Sequence, residues 1–184
     1  MATLREELTS CSIRRTLDQV RDDMPLKNIN YEIVEMSDQH RKFYDAIVEG
    51  VKEEADKIKL NTSNLLALTT RLRQATACPS VITSQPVLSS KVERAVEIAE
   101  DLLEQGEKVV ILTMFKETVY QLAKMLEQYR PLVGTGDFTE QQIKERIESF
   151  QNDPNSKVFI GSHAKMGTGF TLNAASYMIC LDTP

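Results

Sequence analysis

The sequence predicts an α/β fold, a parallel sheet flanked by helices and preceded by a mainly helical segment. Short, continuous apolar runs, KVVILT at 108–113, KVFIG at 157–161 and YMICLD at 177–182, have the composition of strands covered on both faces. Between them lie stretches with apolar residues at three- and four-residue steps, the periodicity of crossover helices. Upstream of Ser84-Gln85-Pro86 that alternation gives way to helical periodicity. Two parts are therefore expected: a helical segment over 1–85 and an α/β domain over 86–184.

Residues from about Leu4 to Val20 have the pattern of one or two short helices ending before Met24-Pro25. In INYEIVEM, Ile29, Tyr31 and Ile33 fall on one side before Val34 and Met36 begin the other, which predicts a strand with one imperfect register. Ser37 is a good N-cap, although His40 stands where a capping box would carry Glu. Tyr44, Ile47, Val48, Val51, Ala55 and Ile58 then form the stripe of a long amphipathic helix. Leu65, Leu68 and Leu72 mark a second helix over 63–76, stopped by Pro79.

In the α/β part, Val92, Ala95, Val96, Ala99, Leu102 and Leu103 predict a helix, with Gly106 at its C-terminus. KVVILT is the next strand. Val119, Leu122, Met125, Leu126 and Tyr129 give another helix, and PLVG a very short strand. Thr139 with Gln142 forms a capping box for a helix carrying Ile143, Ile147 and Phe150. KVFIG and YMICLD complete the sheet.

The chain has 184 residues, 41% hydrophobic and 27% charged, which suits one globular domain or a small domain with a helical extension. Cys11, Cys78 and Cys180 are scattered and odd in number, so a reduced, intracellular setting is expected. His40 and His163 lie too far apart to seed a zinc site, and no metal site is predicted. MATLREELTS has no signal-peptide pattern, and no apolar run approaches the roughly 18 residues of a membrane span. The net charge of -5 excludes a broadly basic nucleic-acid coat. It leaves room for a groove where amides, hydroxyls and a few cations hold phosphates.

Parallel sheets place their sites in loops at the carboxyl ends of the strands. Thr113 to Lys116, Gly161 to Phe170 and Asp182 to Pro184 occupy those places. In GSHAKMGTGFTLNAAS, Gly161, Gly167 and Gly169 allow a sharp turn and close approach of amides, and a helix is expected to start near Thr171. Ser162, Thr168 and Thr171 offer hydroxyl donors. The segment lacks the Gly-Lys-Ser/Thr ending of a Walker A loop and the full dinucleotide fingerprint. An ordinary tight turn and an anion cradle both remain open for it. Arg14-Arg15, Arg71 and Arg73 read as solvated helix faces. His163 reads as a surface imidazole, because spacing identifies no Ser, Cys or Asp partner. No catalytic residue is assigned.

Several segments, taken in order, resemble the Swi/Snf-type branch of superfamily 2 helicases. IRRTLDQVRDDMPLKNINYEIVEMSDQHRKFYDAI resembles the passage out of that family's first motor lobe, and LTTRLRQATACPSVI its Leu-Arg-x-Cys-x-x-Pro segment. SSKVERAVEIAEDLLEQGEKVVILTMF is similar to the helix and strand entering motif IV, with Thr113 and Phe115 at the usual Ser and Phe. PLVGTGDFTEQQIKERIESFQND resembles the Gly-Ser-Thr turn and the following helix. KVFIGSHAKMGTGFTLNAASYMICLDTP resembles motif V and the next strand, with Met166 to Leu172 where the family usually has Gly-Gly-x-Gly-Leu-Asn-Leu.

The resemblance implies a second RecA-like lobe of an ATP-driven double-stranded DNA translocase. It implies that Thr113, Phe115, Ser162, Lys165, Gly167 and Thr168 meet the nucleic-acid backbone. Gly169, Thr171 and Leu172 would lie toward the nucleotide, and Arg14 and Arg15 would support the lobe junction. ATP and Mg would bind the whole protein, between this lobe and a first RecA-like lobe, with no cofactor held tightly by this chain alone. The Walker A lysine and Asp-Glu-x-His box are not in the sequence, and the motif VI arginines are expected beyond Pro184, so the isolated chain should not hydrolyse ATP. Double-stranded DNA binding should be weak and salt-sensitive. The expected setting is cytoplasmic or nucleoid-associated, or nuclear in a eukaryote, with no membrane contact. The alternatives are a non-catalytic interaction module derived from a helicase lobe and, ranked last, an unrelated small α/β enzyme or nucleotide binder.

Overall fold

A computed structural model describes residues 12–13, 27–57, 62–84, 87–166 and 169–182. Arg14, Arg15, Gly167, Thr168 and Thr183, with almost all of the helical pattern over 4–20, lie outside the described residues. Met1–Ile33 and Val34–Pro184 form two separate units.

In the larger unit the order is α1 (Asp38–Lys57), α2 (Thr62–Ala77), a 3₁₀ turn (Pro79–Val81), α3 (Ser90–Glu104), β1 (Val109–Thr113) and α4 (Lys116–Met125). A second 3₁₀ turn (Glu127–Tyr129), β2 (Leu132–Gly134), α5 (Glu140–Asn152), β3 (Val158–Ser162), the single turn α6 (His163–Met166) and β4 (Tyr177–Cys180) follow. The four strands are all parallel, in the order β2-β3-β1-β4.

Every residue of β1 and β3 is buried, which explains their unbroken apolar runs. Val109 and Ile111, with Val158 and Ile160, pack under α3 and α4 through Val92, Ala99, Val119 and Leu122. Val110, Leu112 and Phe159 point to the opposite face and meet Ile143 and Phe150 of α5 and Met166 of α6. The Phe150 and Phe159 rings pack edge to face, 5.7 Å apart. Lys108 donates to the carbonyls of Phe150 and Asp153 and so closes the C-terminus of α5. At the other end of α5, Thr139 and Gln142 form the predicted capping box.

Within the larger unit, the C-terminus of α2 ties α1, α3 and α4 together. Three successive carbonyls there accept from side chains of three other elements. His40 Nε2 of α1 reaches Ala75 O at 2.9 Å, Ser89 Oγ at the start of α3 reaches Thr76 O at 2.6 Å, and Thr118 Oγ1 of α4 reaches Ala77 O at 3.3 Å. Helices end with unpaired carbonyls, and burying these without donors would be costly. The opposite ring nitrogen of His40 accepts from Ser90 N–H at 3.2 Å, so both ring nitrogens of this buried imidazole have partners.

Four local expectations are corrected. Residues 27–37 carry no regular structure, and Ile29, Tyr31 and Ile33 are exposed; a strand needs a neighbouring ladder, and no described strand pairs with this segment. Leu65 is exposed rather than part of the buried stripe, which runs through Leu68 and Ala75. No helix starts at Thr171; the helical turn follows β3 directly at His163–Met166, and residues 169–176 carry no helix or strand. β4 leaves Tyr177 and Met178 exposed, because as an edge strand it has a neighbour only in β1.

Candidate functional site

The strands β3, β1 and β4 are adjacent, so their carboxyl-end loops are adjacent too. The ladder between β1 and β4 is extended by Leu181 N–H to Leu112 O at 3.0 Å, which brings Asp182 beside Thr113. Thr113 Oγ1 donates to Asp182 Oδ2 at 2.9 Å, and Met114 N–H donates to the same oxygen at 3.2 Å. Lys91, in the first turn of α3, faces the other carboxylate oxygen at 3.5 Å. His163 Nε2 of α6 donates to the Asp182 carbonyl at 3.0 Å. One residue thus joins the ends of three strands and the start of α3.

α6 is seated by two glycines. Gly134 and Gly161 are register partners on β2 and β3. A Cβ at Gly161 would lie 2.5 Å from Met166 Cγ, and one at Gly134 would lie 2.8 Å from Met166 Sδ. Only bare backbone lets the turn fold down and bury Met166.

The segment beyond α6 is held from α5. Gln151 Nε2 donates to Thr171 O at 2.9 Å and to Asn173 Oδ1 at 2.7 Å, while its Oε1 accepts from Ala174 N–H at 2.8 Å. Gly169 has φ +86, the left-handed conformation that favours glycine.

A third cluster lies between α4 and the turn after β2. Lys116 Nζ is 3.1 Å from Asp137 Oδ1, and Tyr120 OH donates to Asp137 Oδ2 at 2.8 Å while also meeting Thr135 Oγ1 at 3.0 Å. The Tyr120 hydroxyl and then Lys116 hold the Asp137 carboxyl below its ordinary value. The same contact with Asp137 raises Lys116 above its own. Behind the cluster, Arg146 donates to Val133 O at 2.6 Å and stacks over the Phe138 ring at 3.6 Å.

The described residues among those predicted to form the site differ in exposure. Thr113 and Ser162 are buried register partners. Phe115 is half-buried at the N-cap of α4, and Lys165 is half-buried on α6. Thr171 is exposed, and Leu172 packs against the core face under α5. Gly167 and Thr168 lie outside the described residues, as do Arg14 and Arg15. His163 is half-buried and bonded to Asp182 rather than a surface imidazole. Sequence reading missed the roles of Asp182, Lys91 and Gln151. The one hint of the first was a charged residue closing an apolar run, and no spacing rule links Lys91 or Gln151 to loops that follow later in the chain.

Among the described residues no group of three or more His, Cys, Asp or Glu is placed to hold a metal ion. No helix among them is long and apolar enough to cross a membrane.

A four-stranded parallel sheet with helices on both faces and its loops gathered at one edge defines a RecA-like lobe of the kind the sequence resemblance implies. Residues 90–184, just over half of the chain, match the helicase conserved C-terminal domain, and the chain belongs to that family. It is 29% identical over 177 residues to an uncharacterised ATP-dependent helicase of Mycoplasma genitalium, covering 92% of this chain and 17% of that protein. An ATP-dependent helicase of Mycoplasma pneumoniae is 28% identical over 175 residues, with the same coverage. The chain therefore spans about a sixth of the length of these relatives. In structure it is similar to the SWI2/SNF2 ATPase C-terminal domain of Sulfolobus solfataricus, with TM-score 0.69 and 24% identity over 81% of this chain and 69% of that one. The ATPase core of the same organism in complex with double-stranded DNA also has TM-score 0.69, at 23% identity over 81% of this chain and 33% of that one.

Proposed function

We propose that this chain is the second RecA-like lobe of an ATP-dependent double-stranded DNA translocase. Residues 86–184 are the lobe, and 1–85 the segment that joins it to a first lobe. The observation that carries this reading is the gathering of the Thr113–Lys116, Ser162–Lys165 and Asp182 segments at one sheet edge in a helicase C-terminal fold. Phe115, Ser162, Lys165, Gly167 and Thr168 are assigned to the DNA backbone. Thr113 supports them from below, since its hydroxyl is buried and bonded to Asp182. Gly169, Thr171 and Leu172 are assigned to the nucleotide side, and Arg14 and Arg15 to the lobe junction.

ATP and Mg²⁺ enter this reading through the first lobe. The donor set for a magnesium triphosphate does not fit this chain: it has no Gly-Lys-Ser/Thr loop and no acidic cluster among its described residues. No step of hydrolysis is assigned to its side chains. Its part is to close on the nucleotide-bearing lobe while holding DNA, so that closure moves the duplex.

The test is ATP hydrolysis, with and without double-stranded DNA, by this chain and by the longer protein. A silent short chain and a DNA-stimulated long one support the proposal. A folded but silent long protein replaces it with an interaction module, a reading that the exposed Leu65 and Leu66 on α2 favour. Hydrolysis by the short chain alone overturns both.

A further inference from the structure

We infer that Asp182 is a positioning residue, a latch that holds the end of β1 in the shape that grips nucleic acid. The inference rests on the proposed function above for its consequence, and on geometry for the latch itself. Asp182 sits one residue past the last β1–β4 ladder bond, so its backbone is placed by the sheet. Its side chain is only 10% exposed, and one carboxylate oxygen takes both the Thr113 hydroxyl and the Met114 amide. Met114 is the first residue after β1, where the ladder stops and the chain turns toward Phe115 and α4. That amide has no strand partner to bond, and the carboxylate supplies the acceptor. The Asp182 carbonyl meanwhile accepts from His163, which opens α6. Both loops assigned to DNA are therefore fastened to one residue that is itself assigned no DNA contact. Lys91 is 40% exposed and 3.5 Å from the carboxylate, so it is a weak third anchor.

A second property separates the latch from a plain charge effect. Asp182 brings a negative charge to an edge proposed to meet phosphates, so any neutral replacement removes repulsion and favours DNA. Asp182→Asn keeps an oxygen in place for Met114 N–H and Thr113 Oγ1. Asp182→Ala keeps none. The two variants carry the same charge, and their difference isolates the acceptor.

The experiment compares wild type, Asp182→Asn and Asp182→Ala as the 184-residue chain. It reads amide exchange at Met114 by NMR and affinity for a short double-stranded DNA at low salt. Met114 exchange should be about tenfold faster or more in Asp182→Ala than in Asp182→Asn, the scale of one hydrogen bond to a charged or strongly polar acceptor. Asp182→Ala should also bind DNA about three- to tenfold more weakly than Asp182→Asn, which should match wild type or exceed it. Thr113→Val removes the hydroxyl donor without touching the carboxylate, and should speed Met114 exchange by a smaller factor. It decides the question if Asp182→Ala does not fold. Equal Met114 exchange in the two Asp182 variants, or an unchanged Thr113→Val, overturns the latch. Split exchange with equal DNA affinity overturns its role in gripping nucleic acid. If wild type binds no DNA while exchange still splits the variants, the DNA contacts assigned to this lobe fail and the latch stands by itself.

Discussion

Asp137 shows how exposed side chains shape one another's chemistry. Hydrogen bonds from Tyr120 and Lys116 favour its ionised form and lower its titration below the ordinary carboxylate range. A lowered folded value means that the network stabilises the fold at and above the usual carboxylate range, and that this contribution is lost as pH falls through the lowered value. Because Tyr120 is the largest cause, Tyr120→Phe should move the Asp137 titration back up toward its ordinary value. Carboxyl carbon shifts followed by NMR against pH report this directly, and an unmoved Asp137 would assign the effect to Lys116 instead. Gly161 acts through space rather than charge. Gly161→Ala pushes a methyl to 2.5 Å from Met166 Cγ and 3.4 Å from Gly134 O, so α6 must lift or Met166 must leave its pocket. The expected loss of stability is about 1–3 kcal/mol by urea unfolding. Adding Met166→Ala should recover part of the loss, because the two changes share one volume; strictly additive losses would mean that the clash is relieved elsewhere.

Elements are held by their ends here, and the C-terminus of α2 is the clearest case. His40→Ala leaves Ala75 O without its donor and Ser90 N–H without its acceptor, both in a buried junction. A loss of about 2–4 kcal/mol is expected for two buried groups left without partners. Arg71→Ala, which breaks an exposed ion pair with Glu54, should cost less than about 1 kcal/mol. Similar losses for the two would show that the junction is hydrated and its bonds replaceable. This junction also explains what the sequence could and could not disclose. β1, β3, α3 and α5 were legible because burial on both faces, a 3.6-residue stripe and a capping box leave local signatures. The alternation at 29–36 is genuine, but no described strand pairs with it: pairing is a property of two segments, and one segment's pattern cannot supply it. The absence of a helix at Thr171 has a related reason. Glycine and threonine signal a turn into a helix, but burial of Met166 between Gly134 and Gly161 places the helical turn earlier, at His163–Met166. His40, read as an imperfect capping residue, takes its role from bonds to positions 35 and 50 residues away. For the site, the three loops are legible because each follows an apolar run with the composition of a buried parallel strand. Asp182 as their common tie is not, because hydrogen-bond partners across strands leave no spacing in the sequence.

At the scale of the whole molecule, the net charge of -5 has to be reconciled with a proposed grip on a polyanion. Affinity for duplex DNA falls with salt in proportion to the number of phosphates neutralised, with a slope of about -0.9 per phosphate. The cations near the carboxyl edge are few, and several already have partners. Lys91 faces Asp182, Lys116 faces Asp137, and Arg146 is bonded to a backbone carbonyl and stacked on Phe138. Arg73 and Lys165 add to these, with Arg73 lying 3.6 Å from Met114 Sδ. Amides and hydroxyls hold phosphates without releasing counterions in the way that lysine and arginine do. The binding reaction of this chain should therefore show a shallow logarithmic salt slope, about -2 to -3, even where affinity at low salt is measurable. Lys165→Gln should reduce that slope by roughly one, while Lys116→Gln should change it less, since Asp137 already offsets that charge. Fluorescence titrations of a labelled duplex at several salt concentrations give both numbers. A slope steeper than about -6 would require a broad cationic surface that neither the composition nor this edge provides, and would move the DNA contact away from the carboxyl ends of β1, β3 and β4.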